Sequence, residues 1–334
     1  MHRDRKILIR AVIIGGVVIL ALAVALIILN NSEKARYAES RENMSAGFGQ
    51  LRTVEIGGET YREKPAITTL LIAGIDKDGT RQNSDVVSYR NGGQADFLLL
   101  LAIDHTEKKI HQLQIDRDTM TPVSVLGVFG NEVGTRVLQI CLSHSFGATP
   151  QDNAKYTVKA VQNLLEGIEV DGYYMVDYSA IPVLNDALGG VPVKINYDMT
   201  AVNPDWKEGS TVTLRGKEAE AFVRARRNVG SGENVERMDR QSEYMHSAIG
   251  QMRKKLAANN GFGEELLGML QDIAVSNMTV KRLADEMVKA RDYEILAVDH
   301  PEGEHVISTQ NVMEFHMKEG AALNWVLNHM YVKQ

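Results

Sequence analysis

The chain has 334 residues, 44% of them hydrophobic, and a formal net charge of −6, so it has ample apolar material for a core and lacks the overall basicity of a nucleic-acid binder. Its single cysteine, Cys141, excludes an intrachain disulfide and reads as a small apolar side chain packed in the core. The absence of a Walker loop, a Gly-x-Ser-x-Gly turn and a His-Glu-x-x-His pair sets aside the P-loop, serine-hydrolase and zinc-protease classes.

Residues 1–10 form a short tail with Arg3, Arg5, Lys6 and Arg10, and Ala11–Leu29 follows without one polar side chain. Nineteen such residues make a helix about 28 Å long, close to the thickness of a bilayer core. The run is too long for a signal peptide's apolar region, so it is expected to be an uncleaved transmembrane helix. The cations before it place the tail in the cytoplasm and the remainder outside the cell membrane, single-pass. There neither DNA nor ATP is an ordinary ligand.

Residues 30–62 are expected to form an extracytoplasmic stalk, with a small hairpin turning at Gly57-Gly58 near its end. Residues 63–334 form the main domain. Its first core signals are three strands, Thr69–Ile75, Phe97–Ile103 and Lys109–Ile115, the last two joined as an antiparallel hairpin. Continuous runs such as FLLLLAI imply a sheet covered on both faces. Thr149-Pro150 opens a helix that ends near Gly167, with Thr as cap and Pro at the first position. A strand near Tyr173–Val176, a helix near Ile181–Leu188 and a strand at Val191–Ile195 complete the pattern. Interleaved strands and helices predict an α/β fold: a single layered α-β-α domain with a mixed central sheet, preceded by the transmembrane helix.

Asp76 follows the first strand and Asp96 precedes the second. If these strands are antiparallel, both carboxylates meet at one edge, and the hairpin returns Arg117 to it. Two carboxylates and phosphate oxygens make a magnesium site, although an Asp at a strand end also suits turn capping. His144 reads as a structural histidine. Further on, five arginines fall between Phe222 and Gln241 in an acidic chain. Arg224 and Arg226 leave a helix over Gly216–Val223 and share a face where the backbone is extended. Arg237, Arg240, Gln241 and Tyr244 fall at i, i+3, i+4 and i+7 of a second helix, predicted over 234–256. There they read as a polar stripe separate from an apolar one of Met238, Met245, Ile249, Met252 and Leu256. Guanidinium forks suit phosphate, and we favour an anion site over a solvated ion-pair face.

With those residues in hand, the chain resembles the LytR-CpsA-Psr family of cell-envelope proteins. The resemblance rests on the anchor, the two strand-end aspartates and Ile115-Asp116-Arg117-Asp118-Thr119. It rests also on Asp186-Ala187-Leu188-Gly189-Gly190-Val191, Leu214-x-Gly216-x-Glu218-Ala219, Phe222-Val223-Arg224-Ala225-Arg226 and Arg237-x-x-Arg240-Gln241, and runs from about Thr68 to Lys255. It implies a phosphotransferase that moves a glycopolymer from a polyprenyl-pyrophosphate carrier to peptidoglycan. By the same resemblance, Asp76 and Asp96 would hold Mg2+, or Mn2+ in its place. Arg117, Arg224, Arg226, Arg237 and Arg240 would clamp the pyrophosphate, Gln241 assisting. Arg227 has no counterpart. Departures are Gln94-Ala95, where the family has Arg-Ser, and Gln139-Ile140-Cys141, where it has a lysine. Two other readings stay open: a non-catalytic polyprenyl-phosphate-binding envelope regulator, and a polyprenyl-pyrophosphate pyrophosphatase.

Overall fold

The computed structural model describes residues 52–76, 92–127, 131–225, 229, 234–259, 261–290, 293–309 and 311–334, and within these omits the side chains of 224, 234–239, 241, 242, 245, 246 and 287–289. The tail, the apolar segment 11–29, most of the stalk, Arg226 and the side chains of Arg224, Arg237 and Gln241 lie outside that description. No helix among the described residues is long and apolar enough to cross a membrane.

Strands β1 (Thr53–Ile56) and β2 (Glu59–Glu63) form the expected hairpin. Its turn residues Gly57 and Gly58 both have positive φ, 63° and 82°, as a two-residue primed turn requires. Three long strands follow: β3 (Ile67–Asp76), β4 (Gln94–Asp104) and β5 (Lys109–Ile115), paired antiparallel in sequence. The β4–β5 turn is pinned by Asp104, whose Oδ1 accepts the N–H groups of Thr106 (2.9 Å) and Glu107 (2.8 Å). β8 (Gly172–Asp177) lies parallel to β3, β11 (Ala274–Ser276) flanks β8, and β12 (Glu294–Asp299) lies parallel to β5. The resulting mixed six-stranded sheet has the order β11-β8-β3-β4-β5-β12.

Alternation along β4 shows why its whole run is apolar. Phe97, Leu99, Leu101 and Ile103 join one core, and Leu98, Leu100 and Ala102 join the other. The first face is covered by α2 (Ala180–Ala187), α3 (Lys217–Arg224), α4 (Asn234–Ala258), α5 (Phe262–Leu270) and α6 (Val280–Ala290). The second is covered by α1 (Pro150–Leu164) and α7 (Ala321–Met330). Helix α1 begins as its sequence implies, with Thr149 Oγ1 accepting the Asp152 N–H at 3.1 Å and Pro150 in the first turn.

Among the described residues, three two-stranded ribbons lie outside the main sheet: β6 (Met120–Leu126) with β7 (Glu132–Gln139), β9 (Val191–Lys194) with β10 (Thr211–Leu214), and β13 (Gly303–Ile307) with β14 (Met313–Met317). A 3-10 helix, Ile140–Ser145, leads from β7 towards α1. The C-terminal strand β15 (Tyr331–Lys333) pairs with β2 and closes the chain.

Candidate active site

The antiparallel order of β3, β4 and β5 gathers the end of β3, the start of β4 and the end of β5 at one edge of the sheet. Asp76 lies opposite Gln94 in register. The register then shifts: Gly74 faces Phe97 while Ile75 faces Ala95, so Asp96 is an extra residue in a β-bulge. Bulges re-aim side chains, and this one takes Asp96 out of the two-face alternation at the sheet end.

Arg117, two residues past β5, sits in the middle of the cluster. Its Nη1 forms an ion pair with Asp96 Oδ1, and its Nε lies 3.5 Å from Asp118 Oδ1. Its Nη2 donates to Gln94 Oε1 at 2.7 Å and to Cys141 Sγ at 3.4 Å. The guanidinium fork therefore spans four side chains, a geometry that an ammonium cannot reproduce. Gln139 Nε2 holds the far side of the cradle, donating to Asp118 Oδ1 at 2.7 Å. Thus Gln94, Gln139 and Cys141, the departures noted in the sequence, all lie in contact with Arg117 or Asp118.

Asp96 is 8% exposed. Burial, opposed by Arg117 but reinforced by the charges of Asp76 and Asp118, pushes its carboxyl up to about 6. Asp118 is also raised, mainly by burial. Burial works against the charge of Arg117, yet the Cys141 sulfur, Asp96 and Asp118 outweigh it and its pKa rises. Burial pushes the Cys141 thiol up to about 12 despite Arg117. The thiol is then neutral at physiological pH, so the carboxylates carry the attraction, and Cys141 is a packing residue rather than a nucleophile. His144 is equally structural: it is buried, with Nδ1 3.1 Å from Thr157 Oγ1.

Among the described residues, Asp96 and Asp118 share the Arg117 guanidinium, and Asp76 adds negative charge beside Asp96. A divalent cation there would offset that charge. No group of three or more His, Cys, Asp or Glu side chains arranged to hold a metal exists among the described residues. Asp76 and Asp96, two carboxylates at one sheet edge, have the donor chemistry of an ion that completes its shell with water and substrate oxygens, as Mg2+ does.

On helix α4, two members of the expected polar stripe, Arg240 and Tyr244, lie in the core instead. Arg240 is 2% exposed and Tyr244 wholly buried. They lie on one line with Ala248, Met252 and Leu256, each four residues on and each buried. Tyr244 donates to Asn185 Oδ1 at 3.2 Å. The Arg240 Nε donates to Phe222 O at 3.3 Å, and its Nη2 donates to Ala225 O. A guanidinium tolerates this burial because the last carbonyls of α3 accept its protons and the helix C-terminus favours a cation. Ala225, which follows α3, has extended backbone (φ −52°, ψ 131°). Arg240 therefore fixes the backbone at the end of α3. Arg240→Met is expected to leave both carbonyls without this donor and to cost about 2 kcal/mol, seen as a fall in Tm. An unchanged Tm would remove this role.

The TagU protein of Halalkalibacterium halodurans, named a polyisoprenyl-teichoic acid–peptidoglycan teichoic acid transferase, is 29% identical over 183 residues, 55% of this chain and 52% of that protein. The chain thus spans about half the length of that relative. The crystal structure of Bacillus subtilis TagV superposes with a TM-score of 0.54 at 20% identity, covering 78% of this chain and 94% of that one. The structure of TagT bound to LIIa-WTA gives 0.52 at 20% identity, covering 78% and 88%. At these identities the structural likeness is one of fold. A family model matches residues 26–324, and the chain belongs to the LytR_cpsA_psr family.

Proposed function

We propose that the protein is a membrane-anchored extracytoplasmic phosphotransferase that moves a teichoic-acid-type glycopolymer from a polyprenyl-pyrophosphate carrier to peptidoglycan. The observation that carries this reading is Arg117, held between Asp96 and Asp118 and beside Asp76 at a single sheet edge. A fixed guanidinium next to a carboxylate pair answers the two needs of phosphoryl transfer, which are positioning and charge stabilisation. The names of the relatives and the teichoic-acid ligand of TagT support the substrate class.

In the reaction, a peptidoglycan hydroxyl oxygen bonds to the phosphorus that carries the glycopolymer. The bridging P–O bond to the second phosphorus breaks, and polyprenyl phosphate leaves with that electron pair. The hydroxyl proton passes to a base. Arg117 stabilises charge on the oxygens of the leaving phosphate. Arg224, Arg226, Arg237 and Gln241 are the further proposed contacts to the pyrophosphate, and Arg240 supports them from behind. Mg2+ held by Asp76 and Asp96 would supply Lewis-acid neutralisation of the pyrophosphate charge. The apolar segment 11–29 keeps the domain at the membrane that holds the carrier.

The reading is tested by mass spectrometry of lipid extracted from the purified full-length protein. Polyprenyl phosphate or pyrophosphate is expected in wild-type protein and depleted in Arg117→Ala. Equal lipid retention in both proteins would remove Arg117 from the site.

A further inference from the structure

The turn that carries Arg117 is gripped from outside by the C-terminal ribbon β13–β14, which no motif in the sequence singles out. His305 Nε2, on β13, lies 2.8 Å from Asp116 Oδ2. The other oxygen of Asp116 accepts the Asp118 N–H at 2.8 Å. Asp118 in turn lies against Arg117 Nε. The ribbon makes two further attachments to the same turn. Phe315 N–H donates to Asp118 O at 2.8 Å, and Gln139 Nε2 bridges Asp118 Oδ1 and Met313 O at 2.7 Å each. The His305 ring also packs on Phe315, with centroids 4.8 Å apart.

A carboxylate only accepts, so His305 donates through Nε2–H whether or not its other nitrogen is protonated. The side chains of His305 and Asp116 are 10% and 11% exposed, so water competes little for this bond. We infer that His305 is a positioning residue for Arg117. Through Asp116 it fixes the Asp116–Asp118 turn, so that the guanidinium meets a bound pyrophosphate already oriented. The inference rests on the phosphotransferase reading above, but its first readout does not.

That readout is calorimetric binding of inorganic pyrophosphate with Mg2+ to the full-length protein. His305→Phe keeps a ring against Phe315 but removes the donor. It is expected to weaken pyrophosphate binding about 10- to 100-fold, the usual cost of losing a group that orients a ligand-binding side chain. His305→Gln places an amide N–H near the lost Nε2 and is expected to restore binding to within a few-fold of wild type. Asp116→Ala removes the same bond from the other side together with the acceptor of the Asp118 N–H, so the double variant should lose no more than Asp116→Ala alone. Where glycopolymer transfer is measured, the loss should track pyrophosphate affinity. If folded His305→Phe binds as wild type does, or if His305→Gln falls as far as His305→Phe, the positioning role is overturned. If His305→Phe does not fold, Asp116→Ala decides on the same criterion. Binding losses as expected in the variants, with no transfer by the wild-type protein, would leave the positioning role intact and overturn the transferase reading instead.

Discussion

Replacement of Arg117 by alanine is expected to lower glycopolymer transfer by about 10²- to 10³-fold, with the fold retained. The guanidinium is the only cation that the described structure places among Asp96, Asp118 and Gln94. Without it, Asp96 and Asp118 lose the guanidinium that both pair with, and the pyrophosphate loses its proposed central donor. Arg117→Lys should lose nearly as much activity. A single ammonium on a flexible stem cannot span Asp96, Asp118, Gln94 and Cys141, as the planar fork does. Steady-state transfer assays on the full-length protein, with Tm measured in parallel, decide the matter. Activity of the lysine variant close to wild type would show that only charge, not fork geometry, is needed.

Asp96→Asn is expected to cost at least about 10²-fold in transfer, because Lewis-acid neutralisation of a pyrophosphate contributes several kcal/mol. It should do so without unfolding the protein, since the asparagine removes a buried charge that burial and two neighbouring carboxylates already disfavour. A pH dependence follows from the same shift. The Asp96 carboxyl is pushed up to about 6, so in metal-free protein it is mostly ionised at pH 7 and mostly protonated at pH 5. Only the ionised form binds a cation, and protons compete with metal below that value. Mg2+ affinity is therefore expected to hold between pH 7 and 8 and to fall about tenfold for each unit below about 6. Calorimetric Mg2+ titrations across pH 5–8 read this directly. An affinity flat down to pH 5 would take the metal away from Asp96.

The juxtaposition of Asp76, Asp96 and Arg117 was legible in the sequence because antiparallel strands with short connections leave little topological freedom. The three apolar runs fixed the strands, and the polar β4–β5 turn fixed their direction. The capped start of α1 was legible for a similar reason: Thr149 and Pro150 act locally. What the sequence hid was non-local. The bulge that re-aims Asp96 depends on pairing between β3 and β4, and nothing in Gln94-Ala95-Asp96-Phe97 announces it. Arg240 reads as part of a polar stripe because it is charged. Yet it stands four residues before Tyr244 on the line that continues through Ala248, Met252 and Leu256, and burial followed that line. His305 is 189 residues from Asp116 and lies on a ribbon whose strands give no strong alternation. The ribbon β6–β7 escaped notice because β7 is exposed along most of its length on both faces. Without a buried side there is no period-two signal to read.

The decisive experiment incubates the full-length protein in detergent with Mg2+, a polyprenyl-pyrophosphate-linked glycopolymer and peptidoglycan fragments, and analyses the products by mass spectrometry. A phosphodiester joining glycopolymer to peptidoglycan, formed one-for-one with polyprenyl monophosphate and lost in Arg117→Ala, is the predicted result. Polyprenyl phosphate released at the same rate with or without peptidoglycan, and no joined product, would contradict it.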